Sequence, residues 1–355
     1  MVHTDTPREK VGVVLLNLGG PATLDDVEPF LFNLFSDRKI IRLGPFAFLQ
    51  KFIARQIARK RAPVSRESYR LIGGGSPLAR ITGEQGRALA QELAPRGDFM
   101  VNLAMRYWQP GGRQALAEMA EAGVRRIVAL TLYPHYSVAT TGSSVDDLLA
   151  AAHAGWPDRF DIAVVDSWPE QRDYVECLAQ AIRDGLARFG GEPVCLLYSA
   201  HSLPVDFIEE GDPYVEELEK TLRAVELLTG VPGVLCYQSR SGPVDWLEPS
   251  TPDMLKESAG RGCRNILMVP ISFVSDHVET LYEIDMLYRD QARDLGMRLE
   301  RTASLNANPR FIRGLADLVL AACGDKGWLE CPACPHPVER RLAGRRKADR
   351  GNVAG

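Results

Sequence analysis

The stretch VCLLYSAHSLP, residues 194–204, decides the fold. Val194, Leu196 and Leu197 fall on both alternating faces, so a strand here needs cover on each side. Such strands belong to parallel sheets sandwiched between helices. The end of the stretch is different. Within a few residues it presents His201 between two serines. In open parallel sheets, ligands bind outside the carboxyl ends of the strands, and His201 stands there. Two readings of it are open at this point. It is a hydrogen-bonded imidazole capping a strand, or it is a proton acceptor or metal ligand at the mouth of the sheet.

Outward from this stretch the same pattern recurs. Runs rich in Val, Ile and Leu at 11–18, 99–105, 126–133, 162–166, 193–199, 233–239 and 265–272 read as strands. Amphipathic stretches such as 112–123, 170–189 and 212–230 read as helices between them. Strand–helix alternation of this kind predicts a doubly wound α/β architecture. TLYPHYSVATTGSS and LMVPISFVSDHVET each run strand, proline, polar loop, helix start, with Pro134 and Pro270 at the same step. Two similar halves facing each other would produce that echo.

The 355 residues leave room for two domains of ordinary size. The expected division is 8–165, 166–304, a C-terminal helix and cysteine-bearing extension at 305–339, and a basic tail at 340–355. A net charge of -4 argues against a nucleic-acid partner. MVHTDTPREK lacks the apolar stretch of a signal peptide, and no apolar run is long enough to span a bilayer. A cytoplasmic protein, free or peripheral to a membrane, is the expectation. Seven scattered cysteines do not resemble a secreted disulfide framework. Cys195, Cys236 and Cys263 read as small core residues. Cys323, Cys331 and Cys334 could form a thiolate site, with Cys177 free to be a fourth ligand.

Other polar clusters carry possible chemistry. In SDHVETLYEID, a regular α-helix would put Asp276, Glu279 and Glu283 on one stripe. Three carboxylates so placed suit a cation or a proton relay, although Asp276 and Glu279 also fit a helix-capping box. His277 joins the stripe only if the helix is distorted. Trp246, in a loop after a strand, is either a core plug or a wall for a flat aromatic ligand. NLGGP and GGGSP are not phosphate-binding loops; their glycines signal close backbone approach or positive φ. Residues 29–63 concentrate phenylalanines ahead of Lys51, Arg55, Arg59, Lys60 and Arg61. That composition suits a hydrophobic-ligand mouth or membrane-surface patch. It equally suits ordinary core beside a solvated helix face.

NLGGP, RLIGGGSPL, RYWQP, YPHYSVATTGSS, YSAHSLP, YQSRSGPVDWLEPST and VPISFVSDHVETLYEID occur in this order. Together they resemble the ferrochelatase family, from about Val11 to the C-terminal cysteines. The resemblance implies two Rossmann-like domains, each a parallel sheet flanked by helices, with a porphyrin cleft between them. It implies insertion of Fe²⁺, as substrate, into protoporphyrin IX. His201 would be the pyrrole-proton acceptor, a metal ligand, or both, with Glu279 as its partner across the site. Asp276, His277 and Glu283 would lie on an acidic helix distorted by a π-type turn and, with Glu279, would be further metal ligands that carry metal in or protons out. Tyr133, Trp246, Arg106, Ser137 and Ile41 would line or adjoin the cleft. The lip at 30–49 would contact a membrane, possible in a monomer or homodimer. Leu287 stands where some relatives continue the acidic stripe. Val138 and Glu339 exclude the animal-type [2Fe-2S] pattern, while Cys177, Cys323, Cys331 and Cys334 remain a bacterial alternative. The rival readings are a chelatase for coproporphyrin III or another metal, and a non-catalytic haem or iron–sulfur protein on the same fold. Ser–His hydrolysis is disfavoured, since no G-x-S-x-G elbow is present.

Overall fold

The computed structural model describes residues 10–43, 46–240, 242 and 244–324. The described strands form two four-stranded parallel sheets. The first contains β1 (Val11–Asn17), β2 (Phe99–Met105), β3 (Arg126–Thr131) and β4 (Asp161–Val165), in the order β2-β1-β3-β4. The second contains β5 (Cys195–His201), β6 (Val234–Gln238), β7 (Asn265–Pro270) and β8 (Arg298–Arg301), in the order β6-β5-β7-β8. These are one topology repeated four strands later, the basis of the echo at Pro134 and Pro270. The strand at Arg298–Arg301 is the one that residue pattern did not reveal. RLER is a short edge strand with three charged residues, and it carries no apolar run.

The first half carries α1 (Val27–Ser36), α2 (Gln50–Leu71), α3 (Leu78–Leu93), α4 (Gly112–Glu121) and α5 (Ser143–Gly155). The second carries α6 (Arg172–Ala187), α7 (Val205–Glu209), α8 (Tyr214–Thr229), α9 (Thr251–Gly260), α10 (Arg289–Asp294) and α11 (Pro309–Gly324). Two π-helical segments, Val138–Gly142 and Glu279–Tyr288, follow β3 and β7 in corresponding places.

The halves share one apolar core. Leu15 and Leu130 of the first sheet belong to the same cluster as Leu196 and Val269 of the second. Trp168 bridges them, donating from Nε1 to the Thr131 carbonyl at 2.9 Å and meeting Tyr174 edge-on at 5.1 Å. Helix α11 then returns across the molecule onto α3, α6, β3 and β4. It buries Phe311, Ile312, Leu315 and Val319, side chains worth roughly 1.5–3 kcal/mol each on burial.

The two glycine loops pack on one another. The Ser76 N–H donates to the Pro21 carbonyl at 2.7 Å. A Cβ on Gly75 would come within 2.2 Å of the Ala22 carbonyl oxygen, so that contact requires glycine.

Two of the cysteines read as independent core residues are paired instead. Cys195 and Cys263 form a disulfide with Cα atoms 6.5 Å apart. Parallel pairing sets Cys195 opposite Ile266, which brings Cys263, two residues before β7, within reach across a separation of 68. Cys236 is a fully buried core residue, as expected.

Candidate active site

Strand β5 ends on His201, in register with Gln238 at the end of β6. The His201 backbone is held on both sides. Its N–H donates to Ser272 Oγ at 2.9 Å, and its carbonyl accepts from the Tyr214 hydroxyl at 3.0 Å. Its Nδ1 lies 3.1 and 3.0 Å from the two Glu279 carboxylate oxygens. An ionised carboxylate can only accept, so Nδ1 carries the hydrogen. Neutral His201 therefore presents Nε2 with a free lone pair.

Glu279 is steadied from a second direction. Gln238 Nε2 donates to Glu279 Oε2 at 3.0 Å, while Gln238 Oε1 accepts from Ser199. Burial would raise the Glu279 pKa, but His201, helped by His277, holds it well below the usual carboxylate value. Burial lowers the His201 pKa; the Glu279 carboxylate outweighs it and leaves His201 raised. Glu279, expected across the site, is thus hydrogen-bonded directly to the histidine.

The distorted helix is present, and it changes the stripe. Glu279–Tyr288 is π-helical. Its hydrogen bonds reach five residues back, so a turn takes more than four residues. Glu279 and Glu283, four apart, therefore nearly eclipse. Burial, with the Glu279 charge beside it, pushes Glu283 up to about 7. Ser239 donates to Glu283 Oε2 at 2.7 Å from a left-handed backbone, φ 64°. Leu287 is exposed and ends the stripe.

Asp276 does not belong to this stripe, because helical structure begins only after it. Arg301 at 3.1 Å, Ser304 at 2.7 Å and Asn306 at 2.9 Å occupy its oxygens. Burial works against those partners, yet they keep its pKa below the usual value. His277 also precedes the helix. Its Nδ1 donates to the Ser275 carbonyl at 2.9 Å, and its Nε2 sits 3.8 Å from Glu279 Oε1.

A two-lobed apolar cleft opens over His201. One lobe, about 330 Å³, is bounded by Phe30, Leu34, Tyr69, Trp246, Phe273 and Tyr282. The other, about 380 Å³, adds Ile41 and the basic side chains Arg42, Arg61 and Arg240. His201, Trp246 and Glu283 border both lobes. Trp246 is thus a wall of the cleft. Tyr133, Arg106 and Ser137 line neither lobe. Tyr133 is buried. Arg106 is turned to Asp37 at 2.9 Å, Ser143 at 2.7 Å and Asp147 at 3.3 Å. Ser137 caps the first π-helical segment and donates to Asp212 at 2.9 Å.

The lip divides. Phe30, Leu31 and Phe35 are core, whereas Phe46, Phe48 and Phe52 are 57%, 79% and 67% exposed. Among the cysteines, Cys177 is buried on α6 and donates to Asn308 at 3.6 Å, its thiol pushed up to about 11 by burial. Cys323 stands in the last turn of α11, the helix packed against α6. Cys331 and Cys334 lie outside the described residues. No cluster of three or more His, Cys, Asp and Glu residues suited to a metal occurs among the described residues. Residue pattern alone passed over Gln238, Tyr214 and Asp212. The first lay inside the quoted YQS motif, but nothing in its spacing marked it as a contact of Glu279.

The two repeated sheets, with a histidine–carboxylate pair at a strand tip, define a two-domain α/β protein of the chelatase class. SirB from Bacillus subtilis, solved with Fe³⁺, shares the fold at a TM-score of 0.51. The match has 10% identity and spans 89% of this chain and 96% of that one. The ferrochelatase family model matches residues 10–323, and the chain belongs to the ferrochelatase family. The ferrochelatase of Desulfotalea psychrophila is 56% identical over 87% of this chain and 96% of its own length. That of Geotalea uraniireducens is 51% identical over 88% and 97%. The chain is accordingly an enzyme, a lyase with Fe²⁺ as substrate.

Proposed function

We propose that the chain inserts Fe²⁺ into protoporphyrin IX, with His201 Nε2 as the pyrrole-proton acceptor. The observation carrying this reading is the Nδ1–Glu279 bond, which commits the opposite nitrogen to accepting. Insertion releases two protons for each dication that enters the macrocycle. A positioned base contributes about 10²–10⁴-fold to such a transfer. His201 takes a pyrrole proton, the Glu279 carboxylate stabilises the resulting imidazolium, and Glu283 passes protons outward. The apolar walls suit a flat macrocycle, and Arg42, Arg61 and Arg240 suit its carboxylate substituents. Anaerobic Fe²⁺ insertion, followed by absorbance, tests the assignment. His201→Ala should lose about a hundredfold or more in turnover. Wild-type turnover in that variant would move the base elsewhere. Parallel kinetics with coproporphyrin III settle the tetrapyrrole.

Two further readings have separate tests. The exposed Phe46, Phe48 and Phe52 beside Lys51 and Arg55 suit peripheral contact with an anionic bilayer, without any described helix able to cross one. Vesicle flotation that is unchanged by Phe48→Asp would refute that contact. A [2Fe-2S] cluster on Cys177, Cys323, Cys331 and Cys334 is not favoured by the packing: Cys177 donates to Asn308 at the start of α11, while Cys323 stands in its last turn, about 22 Å farther along at roughly 1.5 Å per residue. Cys177 would have to surrender a thiol proton that burial favours. Iron and acid-labile sulfide in the isolated protein would support the cluster, and absence of both would dismiss it.

A further inference from the structure

Asp212 is buried where the two halves meet, and its carboxylate points both ways. Oδ2 accepts from Ser137 Oγ at 2.9 Å and from the Val138 N–H at 2.8 Å. Those residues begin the first π-helical segment, whose Ala139 and Thr140 form part of the cleft wall. Oδ1 accepts from the Tyr214 N–H at 3.1 Å. Tyr214 is itself buried, and its hydroxyl donates to the His201 carbonyl at 3.0 Å. A single carboxylate thus connects a wall supplied by the first half to the histidine supplied by the second. Close by, Glu217 accepts from the Tyr136 N–H at 2.7 Å and from Ser167 at 3.2 Å. Glu217 fastens the same loop.

Resting on the assignment of His201 as the base, we propose that Asp212 and Tyr214 are positioning residues that set His201 against the opposing cleft wall. Neither touches the reacting atoms. The two arms of the carboxylate make separable predictions, because misplacing a reacting group slows turnover while loosening a wall weakens substrate binding. Tyr214→Phe removes one hydroxyl and keeps the ring. It should lower kcat by about tenfold and leave the porphyrin KM within about twofold. Asp212→Asn keeps an acceptor for Tyr214 but sets an amide against the Val138 N–H. It should raise the porphyrin KM by about fivefold, the equivalent of about one hydrogen bond. Ser137→Ala should raise KM in the same direction.

Steady-state kinetics on the full chain with Fe²⁺ and protoporphyrin IX test this. Turnover is expressed per porphyrin-binding site, counted by tryptophan-quenching titration, so that an unfolded fraction cannot imitate a loss. The split between kcat and KM would support the inference. Tyr214→Phe turning over within twofold of wild type per site would overturn it, as would an unchanged KM in both Asp212→Asn and Ser137→Ala. His201→Ala is run alongside. If it retains wild-type turnover, the assignment of the base fails first. If it is inactive while Tyr214→Phe is normal, the positioning inference alone fails.

Discussion

At the scale of single residues, the site works by making one imidazole nitrogen basic and keeping it so. Glu279 accepts from Nδ1, and Gln238 holds Glu279 in place. The carboxylate favours imidazolium, so the His201 pKa stands above its ordinary value despite burial. A base must be neutral to act, so kcat/KM should rise with pH as that proton leaves. Glu279→Gln removes the main charge raising it, leaving Glu283 and His277 nearby. Its acid limb should move to lower pH and its kcat should fall. A midpoint that is unchanged or higher in the pH–rate profile would show that Glu279 does not tune His201. Ser239 offers a second test. At φ 64° a side chain costs about 1 kcal/mol more than glycine. Ser239→Gly should therefore unfold at higher urea than Ser239→Ala, by about 1 kcal/mol, while both lose the bond to Glu283.

At the scale of elements, the π-helix matters more than the acidic residues it carries. In a regular α-helix, residues four apart are offset around the axis; here Glu279 and Glu283 stack. Burial, with the ionised Glu279 carboxylate stacked beside it, raises Glu283 to about 7. A relay group must be ionised to receive a proton, so this step opens as pH rises through about 7. Glu283→Gln should lower kcat and abolish a titration step near pH 7. The same shift has a stability consequence of definite sign. Between pH 4.5 and about 7 the native state retains a proton that the unfolded chain releases. Its contribution to stability therefore falls as pH rises across that window. Urea unfolding of Glu283→Gln should lose that part of the slope. An unaltered slope would mean that Glu283 titrates normally.

At the scale of the whole molecule, α11 and Trp168 join the sheets into one core. Phe311 is buried on α11 against Trp168, with ring centroids 5.9 Å apart. Phe311→Ala should destabilise the protein by about 3–5 kcal/mol in chemical denaturation, although it touches nothing in the cleft. A loss below about 1 kcal/mol would show that the halves hold together without this helix.

The chain's own pattern determined the α/β class, the succession of strands and the placing of His201 at a strand's carboxyl end. Apolar runs and helical periods are written within a few neighbouring residues, and the ordered motifs carry the family. The tertiary structure alone decided which polar groups meet. Gln238 reaches Glu279 because β5 and β6 align His201 with Gln238. Asp276 looked like a neighbour of Glu279 on a helix face, but helical structure begins after it and Arg301 claims it. Ser137 and Arg106 turned to carboxylates outside the cleft, and Cys195 found Cys263 across a strand pair. Local patterning specifies elements, whereas such meetings depend on sheet register and the closing of one half upon the other. Those are settled by the free energy of the whole core, which no short window of residues contains.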